Sequence, residues 1–293
     1  MVRSLLVALD GSPQAEEALL YGLTLASRTA ALLYLLLVID PTSHLTDFRQ
    51  RRELGRETTW AHVYLDRKRR ELEDLGVEAR TQVAYGQPAY CILRWAERWE
   101  VDMVALADEP PSAPAPWAKG AVAQRIAQWS QCPVLLVRPG QRALWPPRRI
   151  LLLTDGSALS RAALPVAREL AQALGSVLVL AQVVAVEGLS EEAHPWLEKE
   201  RQRALACLRE EARRLEREGV KAIPQAVVGH PVSSILALAQ EVGAGLIVLS
   251  THGRGGGPWP LGSVAHAILQ RSPLPCLLVR PRELSHRLSP DVD

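Results

Sequence analysis

The chain alternates short apolar runs with longer segments in which apolar residues recur at helical spacing. Leu5–Leu9 is apolar throughout, and the segment that follows it in the chain places Ala18, Leu19 and Leu25 on one helical face. Strands that are apolar throughout are typical of a parallel sheet covered on both sides. The first half of the chain is predicted to contain five strands, at Leu5–Leu9, Ala31–Ile39, Val77–Ala84, Met103–Ala107 and Val134–Val137. Helices are predicted at Gln14–Arg28, Thr46–Leu75, Tyr90–Trp99 and Val122–Trp129.

The second half of the chain repeats this order. Leu5–Ser12 (LLVALDGS) returns as Leu151–Ser157 (LLLTDGS), and Leu135–Pro139 (LLVRP) returns as Leu277–Pro281. A repeat this long indicates a duplicated domain rather than a solenoid unit. Strands are predicted at Arg149–Leu153, Val177–Val184, Lys221–Val227, Leu246–Leu249 and Cys276–Val279. Helices are predicted at Arg161–Leu174, Glu192–Arg217, Val232–Val242 and Val264–Gln270.

Alternating strands and helices define the expected fold class. The pattern predicts an α/β protein with two tandem doubly wound domains, each a mainly parallel five-stranded sheet with helices on both faces. We place the first domain at residues 1–140 and the second at residues 148–282. The segment between them contains Pro146 and Pro147 and is predicted to be a short, stiff linker.

Charge and hydropathy narrow the range of partners. A net charge of +2 gives no electrostatic reason to expect a nucleic acid or a membrane surface as partner. The apolar runs are too short to span a bilayer, and no charged-then-apolar leader opens the chain, so we expect a cytoplasmic protein.

The four cysteines show no C-x-x-C spacing, which argues against a zinc site. The absence of asparagine favours a thermophilic source.

The two copies differ most in the segment that follows the fourth strand. The second copy reads HGRGGGPWPLGSV over His252–Val264, between a predicted strand and a predicted helix. Glycines let the backbone approach a ligand closely, and the unpaired amides at a helix start favour an anion. Ser263 adds a hydroxyl donor. The segment has no G-K-[ST] and does not follow the first strand, so it is neither a Walker loop nor a dinucleotide fingerprint.

The first copy carries residues unsuited to phosphate in the same place. Asp108-Glu109-Pro110 stands where the second copy has Thr251-His252-Gly253. Carboxylates repel a triphosphate, and proline supplies no N–H donor. Ala121 replaces the hydroxyl of Ser263. We therefore expect the phosphate site in the second copy and none in the first.

The segment His252–Val264 resembles the nucleotide-binding loop of the universal stress protein family, whose pattern is G-x-x-G, nine residues, then G-[ST]. The Asp-Gly-Ser after the first strand, the mid-domain G-x-P and the closing strand match in both halves. The resemblance therefore covers the chain as a tandem pair and implies an adenine-nucleotide-hydrolase-like sheet in each half, with ATP as ligand. Two departures stand out. Ser250 takes the place of the first glycine, and only eight residues separate Gly253 from Gly262.

The resemblance also implies a role for each part of the second copy's site. Asp155 and the backbone of Val183 would contact adenine, and Ser250 and Gly253 would border the ribose. Gly262-Ser263-Val264 would hold the phosphates through backbone amides and the Ser263 hydroxyl. The full set of predicted nucleotide-binding residues is Thr154, Asp155, Val183, Ser250, His252, Gly253, Arg254, Gly262, Ser263 and Val264.

Three members of this set keep alternative interpretations. Arg254 either adds positive charge on the phosphate side or faces solvent. His252 is either a catalytic base or, as we favour, a loop residue that hydrogen-bonds the backbone. Asp155 also suits the turn that caps the next helix, and both roles are compatible. A divalent ion such as Mg²⁺ is an optional partner of the phosphates, with Asp155 as a nearby carboxylate.

The sequence thus predicts a stress-response protein that acts mainly by binding ATP in its second domain, with at most slow hydrolysis. No residues are assigned as catalytic, because no nucleophile triad or metal cluster is evident. The alternative is an interaction scaffold of the same fold that binds no nucleotide. An adenylating enzyme is disfavoured, because DGSPQA and DGSALS follow the first strands instead of S-G-G-x-D-S. The closing LLVRP strands predict an intramolecular pseudo-dimer of the two domains, and two chains are candidates for a homodimer.

Overall fold

The computed structural model of the chain describes residues 2–40, 48–108, 121–140, 145–186, 194–254 and 261–281. The chain divides into two compact units, Met1–Arg142 and Ala143–Asp293, which are called here the first and second domains. In each domain parallel strands alternate with helices. The predicted α/β class with two doubly wound domains is confirmed.

The first domain has a five-stranded sheet in the order β3-β2-β1-β4-β5, and its described strand pairs are all parallel. Its strands are β1 (Ser4–Leu9), β2 (Leu32–Ile39), β3 (Ala79–Tyr85), β4 (Met103–Ala107) and β5 (Val134–Val137). Its helices are α1 (Pro13–Thr29), α2 (Phe48–Asp74), α3 (Pro88–Arg98) and α4 (Ala121–Trp129).

The second domain has the same topology, in the order β8-β7-β6-β9-β10. Its strands are β6 (Arg149–Leu153), β7 (Val177–Ala185), β8 (Ala222–Gly229), β9 (Leu246–Ser250) and β10 (Cys276–Val279). Its helices are α5 (Ala158–Arg161), α6 (Leu164–Leu174), α7 (His194–Arg217), α8 (Pro231–Glu241) and α9 (Ser263–Arg271). Because β7 lies on one side of β6 and β9 on the other, the strand order reverses at β6. The carboxyl ends of β6 and β9 therefore border the crevice in which such sheets bind ligands.

The central strands form the core of each sheet. Leu5, Leu6 and Val7 of β1 have no solvent exposure, and neither do Ile150 and Leu151 of β6. Strands buried on both faces explain why the chain shows continuous apolar runs rather than alternation. Within the described residues, no helix combines the length and the apolar character needed to cross a membrane.

The helix that follows the first strand is capped by a serine in both domains. The hydroxyl of Ser12 accepts a hydrogen bond from the amide of Ala15 at 3.1 Å. The hydroxyl of Ser157 accepts from the amide of Ser160, also at 3.1 Å. A side-chain acceptor at this position satisfies one of the amides that the first helical turn leaves unpaired.

Most element bounds lie within two residues of the predicted ones, and the predicted helix starts at Thr46 and Glu192 lie outside the described residues. Two elements need a physical explanation. The predicted helix Arg161–Leu174 is two helices, α5 and α6, with Pro165 in the first turn of α6. Proline has no N–H for the preceding turn, so the helix breaks there and restarts. Strand β8 runs on to Gly229 although it contains Pro224, because it lies at the edge of the sheet and loses few ladder bonds there.

Candidate functional site

The turn after β6 and the loop after β9 are joined by one carboxylate. Asp155 Oδ1 accepts a hydrogen bond from the amide of Ser157 at 2.9 Å, and Oδ2 accepts from the amide of Arg254 at 2.6 Å. The side chain thus closes its own turn and holds the loop at the same time. The sequence predicted two roles for Asp155, as a turn residue and as a ligand of adenine. The hydrogen bond from Ser157 shows the first of these roles.

The hydrogen bonds to Asp155 determine its ionisation. Burial alone raises the pKa of the Asp155 carboxyl, but hydrogen bonds from Ser157 and from the backbone of Arg254 outweigh it. The pKa of Asp155 is therefore held below its ordinary value, and the group is a carboxylate at neutral pH. A partly buried carboxylate of this kind is an acceptor for any donor that enters the crevice.

Gly253 is required by the same contact. A Cβ built on Gly253 would overlap Oδ2 of Asp155. Any larger residue therefore pushes the carboxylate away from the loop and breaks the bond to Arg254. The glycine that resembles the family pattern is thus explained by a close approach between two strand ends.

The turn itself carries a second set of hydrogen bonds centred on Thr154. Its hydroxyl lies 2.8 Å from the hydroxyl of Ser160 and accepts from the amide of Gly156 at 3.1 Å. The Ser160 hydroxyl donates to the carbonyl of Ser157 at 2.9 Å, so its single proton is committed there. Thr154 is consequently the donor to Ser160. The sequence analysis missed Ser160, which is buried and organises the turn.

The residues after β9 fold into a buried corner. Ser250, Thr251 and His252 are each at least 92% buried, and His252 Nδ1 lies 2.9 Å from the Thr251 hydroxyl. The His252 amide donates to the Ser250 hydroxyl at 3.4 Å. The described contact of the His252 ring is with the neighbouring hydroxyl of Thr251, and the expected hydrogen bond to the backbone stays a prediction.

Helix α9 begins at the end of this loop. The Gly262 amide donates to the carbonyl of Thr251 at 2.8 Å, which fixes the helix start against the end of β9. Gly262 is the N-cap and has no side chain to cap the first-turn amides. Ser263 is exposed as the first residue of the helix, and Val264 follows it. An uncapped helix start with an adjacent hydroxyl favours an anion.

Gln182 is a neighbour of the site that sequence analysis did not identify. A Cβ built on Gly156 would lie 3.6 Å from the Gln182 amide group and 3.4 Å from Nη2 of Arg254. The guanidinium of Arg254 therefore lies at the Asp155 turn. Gln182 could have been identified from the sequence, because it is a polar residue in an otherwise apolar strand. Val183, the next residue of β7, pairs with Val227 and lies at the same carboxyl edge.

The first domain carries a different arrangement at the equivalent strand end. The Asp108 amide donates to Val137, as the Thr251 amide donates to Val279, so the two residues are equivalent. Asp108 Oδ2 lies 2.7 Å from Nη1 of Arg138, and both side chains are at least 90% buried. The negative charge of Asp108 is thus balanced within the domain. Glu109, Pro110, the later residues of that loop and Gly255–Pro260 of the second domain lie outside the described residues.

Metal ligation was left open by the sequence. In the part of the chain that the structure describes, no group of three or more His, Cys, Asp or Glu side chains is placed to hold a metal ion.

Comparison with known proteins gives one consistent family. The model of the Universal stress protein family matches residues 1–138 and 147–280. The chain is 30% identical over 151 residues to universal stress protein YxiE of Bacillus subtilis (strain 168), across 47% of this chain and 100% of that protein. It is 23% identical over 148 residues to universal stress protein MJ0531 of Methanocaldococcus jannaschii, across 47% of this chain and 83% of that protein.

Solved structures agree over nearly the whole chain. A universal stress protein from Archaeoglobus fulgidus DSM 4304 is similar over 96% of this chain and 99% of that one, with a TM-score of 0.74 and 22% identity. A functionally unknown protein from Pseudomonas aeruginosa PAO1 is similar over 97% of this chain and 94% of that one, with a TM-score of 0.71 and 18% identity. At these identities the likeness establishes the fold.

Proposed function

Because the chain belongs to the universal stress protein family, we propose that its second domain binds ATP at the carboxyl edge of its sheet and that the protein acts in a stress response mainly through this binding. The observation that carries the proposal is the bond from the Arg254 amide to Asp155. It holds one end of the glycine-rich loop on the carboxylate, while the other end opens helix α9 at Gly262. The Asp155 turn thereby offers an acceptor for a base, and the loop attached to it leads to donors for phosphate.

We propose that adenine lies at the Asp155 turn. A carboxylate has about four lone-pair sites, and amides occupy two of those of Asp155. The remaining sites suit the exocyclic amine of adenine, which is a donor. The backbone of Val183 on the adjacent strand completes this end, Thr154 and His252 support the turn and the loop, and Arg254 and Gln182 border the turn.

Phosphates are assigned to the start of α9. Gly262 leaves the first-turn amides without a side-chain cap, and the Ser263 hydroxyl is exposed beside them. Together with Val264 these groups form a compact set of donors at the positive end of the helix. Ser250 and Gly253 lie between the two ends and are proposed to border the ribose.

The first domain is proposed not to bind ATP in this way. We expected Asp108 to repel phosphate, but its pairing with Arg138 reduces that repulsion. The argument rests instead on the lost donors, because Ala121 replaces Ser263 and prolines fill the loop sequence. The first domain then serves as a structural partner of the second.

Mg²⁺ is proposed to be held mainly by the phosphates of the nucleotide. Asp155 is the acidic residue of the proposed site, and both of its oxygens already accept amide hydrogen bonds. Such a site binds a metal–nucleotide complex rather than the free ion. ATP turnover is proposed to be slow at most.

Isothermal titration calorimetry with ATP, in the presence and absence of Mg²⁺, tests the proposal through the stoichiometry per chain. One equivalent is expected. Two equivalents would contradict the assignment to the second domain alone. Absence of binding at millimolar ATP would favour the scaffold of the same fold. The intramolecular pseudo-dimer of domains remains a proposal. The homodimer of chains is also a proposal, and the solution mass at several concentrations tests it.

A further inference from the structure

The first domain keeps the turn of the proposed base site but fills the space above it. Asp10 Oδ1 accepts from the amide of Ser12 at 2.8 Å, as Asp155 does from Ser157 in the second domain. Gly11 and Gly156 have nearly the same φ, +81° and +82°. The backbone of the two turns therefore matches, and differences above them come from side chains.

The side chain above Gly11 is the indole of Trp60, from helix α2. A Cβ built on Gly11 would overlap the six-membered ring of Trp60. Among the described residues, the atoms nearest to a Cβ built on Gly156 are the side-chain ends of Arg254 and Gln182, at 3.4 and 3.6 Å. The first domain thus holds an aromatic bicycle where the second holds polar side chains. Trp60 as a whole residue is 47% exposed, so it covers the turn without being part of the core.

Trp60 is held in place by a chain of contacts to α1. Its ring stacks on Tyr64, with centroids 5.3 Å apart and planes at 16°. The Tyr64 hydroxyl donates to Oε1 of Glu16 at 3.0 Å, and Lys68 donates to Oε2 of the same carboxylate at 2.9 Å. Tyr64 and Lys68 are both buried. These contacts fix the face of α2 that carries the indole against the start of α1.

Helix α7 of the second domain has no stacked aromatic pair at the positions that correspond to Trp60 and Tyr64. The two long helices end in the same turn, in which Val77 donates to Leu72 and Val220 donates to Leu215. Counted back from this turn, Trp60 corresponds to Arg203 and Tyr64 to Cys207. Arg203 forms an exposed ion pair with Glu200, and Cys207 is exposed. Neither residue supplies a ring above the Gly156 turn.

We propose that Trp60 occupies, above the Gly11 turn, the position that corresponds to the proposed adenine position of the second domain. The first domain thus holds its own indole where the second domain is proposed to hold adenine. The inference rests on the proposed function, because that proposal defines which end of the cleft takes the base. Indole and adenine are planar bicycles of similar size, and both stack on aromatic rings. Removing the indole leaves a slot bounded by the Tyr64 ring, Gly11 and the carboxylate of Asp10.

The test compares Trp60→Ala with the wild-type chain by calorimetric titration with adenosine, which needs no phosphate site. The variant is expected to bind one more equivalent of adenosine than the wild type, and to bind ATP at the new site no more tightly than adenosine, because the first domain lacks the phosphate donors. Trp196→Ala is the matched control, because Trp196 is an exposed tryptophan on α7. It is expected to leave both stoichiometries as they are.

Trp60→Val is measured alongside, since it retains an apolar side chain on α2 if the alanine variant does not fold. A folded Trp60 variant with wild-type adenosine stoichiometry overturns the inference. A wild-type chain that binds no ATP overturns the proposed function instead, and the gain of an adenosine site in the variants still reports on Trp60. The two failures are therefore distinguishable.

Discussion

The amide of Arg254 donates to Oδ2 of Asp155 across 2.6 Å, although the two residues are 99 positions apart in the chain. This bond links the turn after the first strand of the domain to the loop after its fourth strand. Both elements lie where the strand order reverses, which is where open α/β sheets bind ligands. A single carboxylate thus couples the shape of the proposed site to its chemistry.

Replacing Asp155 with Asn is expected to weaken ATP binding at least tenfold. The amide side chain keeps the size but loses the charge and one set of acceptor sites, and hydrogen bonds to a charged group contribute about 1.5–3 kcal/mol each. Calorimetry measures the change in Kd. Asp10→Asn alters the equivalent turn of the first domain and is the control. Equal effects of the two variants on ATP affinity would contradict the assignment to the second domain.

The same carboxylate predicts a dependence of stability on pH. The pKa of Asp155 lies below its ordinary value of 3.8, so its stabilising contribution is complete above that value and is lost as the pH falls through the lower, folded-state pKa. The difference in unfolding free energy between wild type and Asp155→Asn is expected to be constant near neutral pH and to shrink below about pH 4. Denaturant titrations at several pH values measure it. A difference that grows toward acid would refute the assignment.

Gly253→Ala is expected to destabilise the second domain by about 1–3 kcal/mol, because the new Cβ overlaps Asp155 and forces the loop away. ATP affinity falls with it. Gly55→Ala is the control: Gly55 lies within α2, and beyond the backbone of that helix no atom of the described residues comes within 4 Å of the added Cβ. Alanine there is expected to stabilise by about 0.5–1 kcal/mol through helix propensity. Thermal unfolding followed by circular dichroism separates the two signs.

Local chemistry made much of the fold predictable. Continuous apolar runs identified the buried parallel strands. Periodicity alone missed the break between α5 and α6. Apolar residues keep their helical spacing through Pro165, but proline lacks the backbone N–H that a continuous helix needs at that position.

Contacts between distant strands could not be predicted in the same way. The bond between Arg254 and Asp155 depends on the register of β6 against β9, which periodicity does not specify. The charge of Asp108 was likewise interpreted without Arg138, whose guanidinium becomes its partner only once β4 and β5 pair. The sequence identified the residue types at the strand ends, and the sheet decided which of them meet.

The ion pair of Asp108 and Arg138 leads to a prediction for the first domain. Asp108→Asn leaves a buried guanidinium without its carboxylate and is expected to cost about 3–5 kcal/mol of stability. Glu218→Gln breaks a partly exposed pair with Arg168 at the surface and is expected to cost at most about 1 kcal/mol. Chemical denaturation compares them. Similar losses in the two variants would show that burial does not strengthen the first pair.

Ser263→Asp separates helix stability from phosphate binding at the start of α9. A negative charge in the first turn of a helix stabilises it by about 0.3–1 kcal/mol, so the ligand-free protein is expected to unfold at the same or a slightly higher temperature. The same charge repels phosphates held by the adjacent amides, and ATP affinity is expected to fall at least tenfold, or about 1.4 kcal/mol. Adenosine, which carries no phosphate, is expected to bind as it does to the wild type. Ala121→Asp places the charge at the equivalent helix start of the first domain and is expected to change neither affinity. Equal loss of adenosine and ATP binding in Ser263→Asp would mean that the helix start does not face the phosphates.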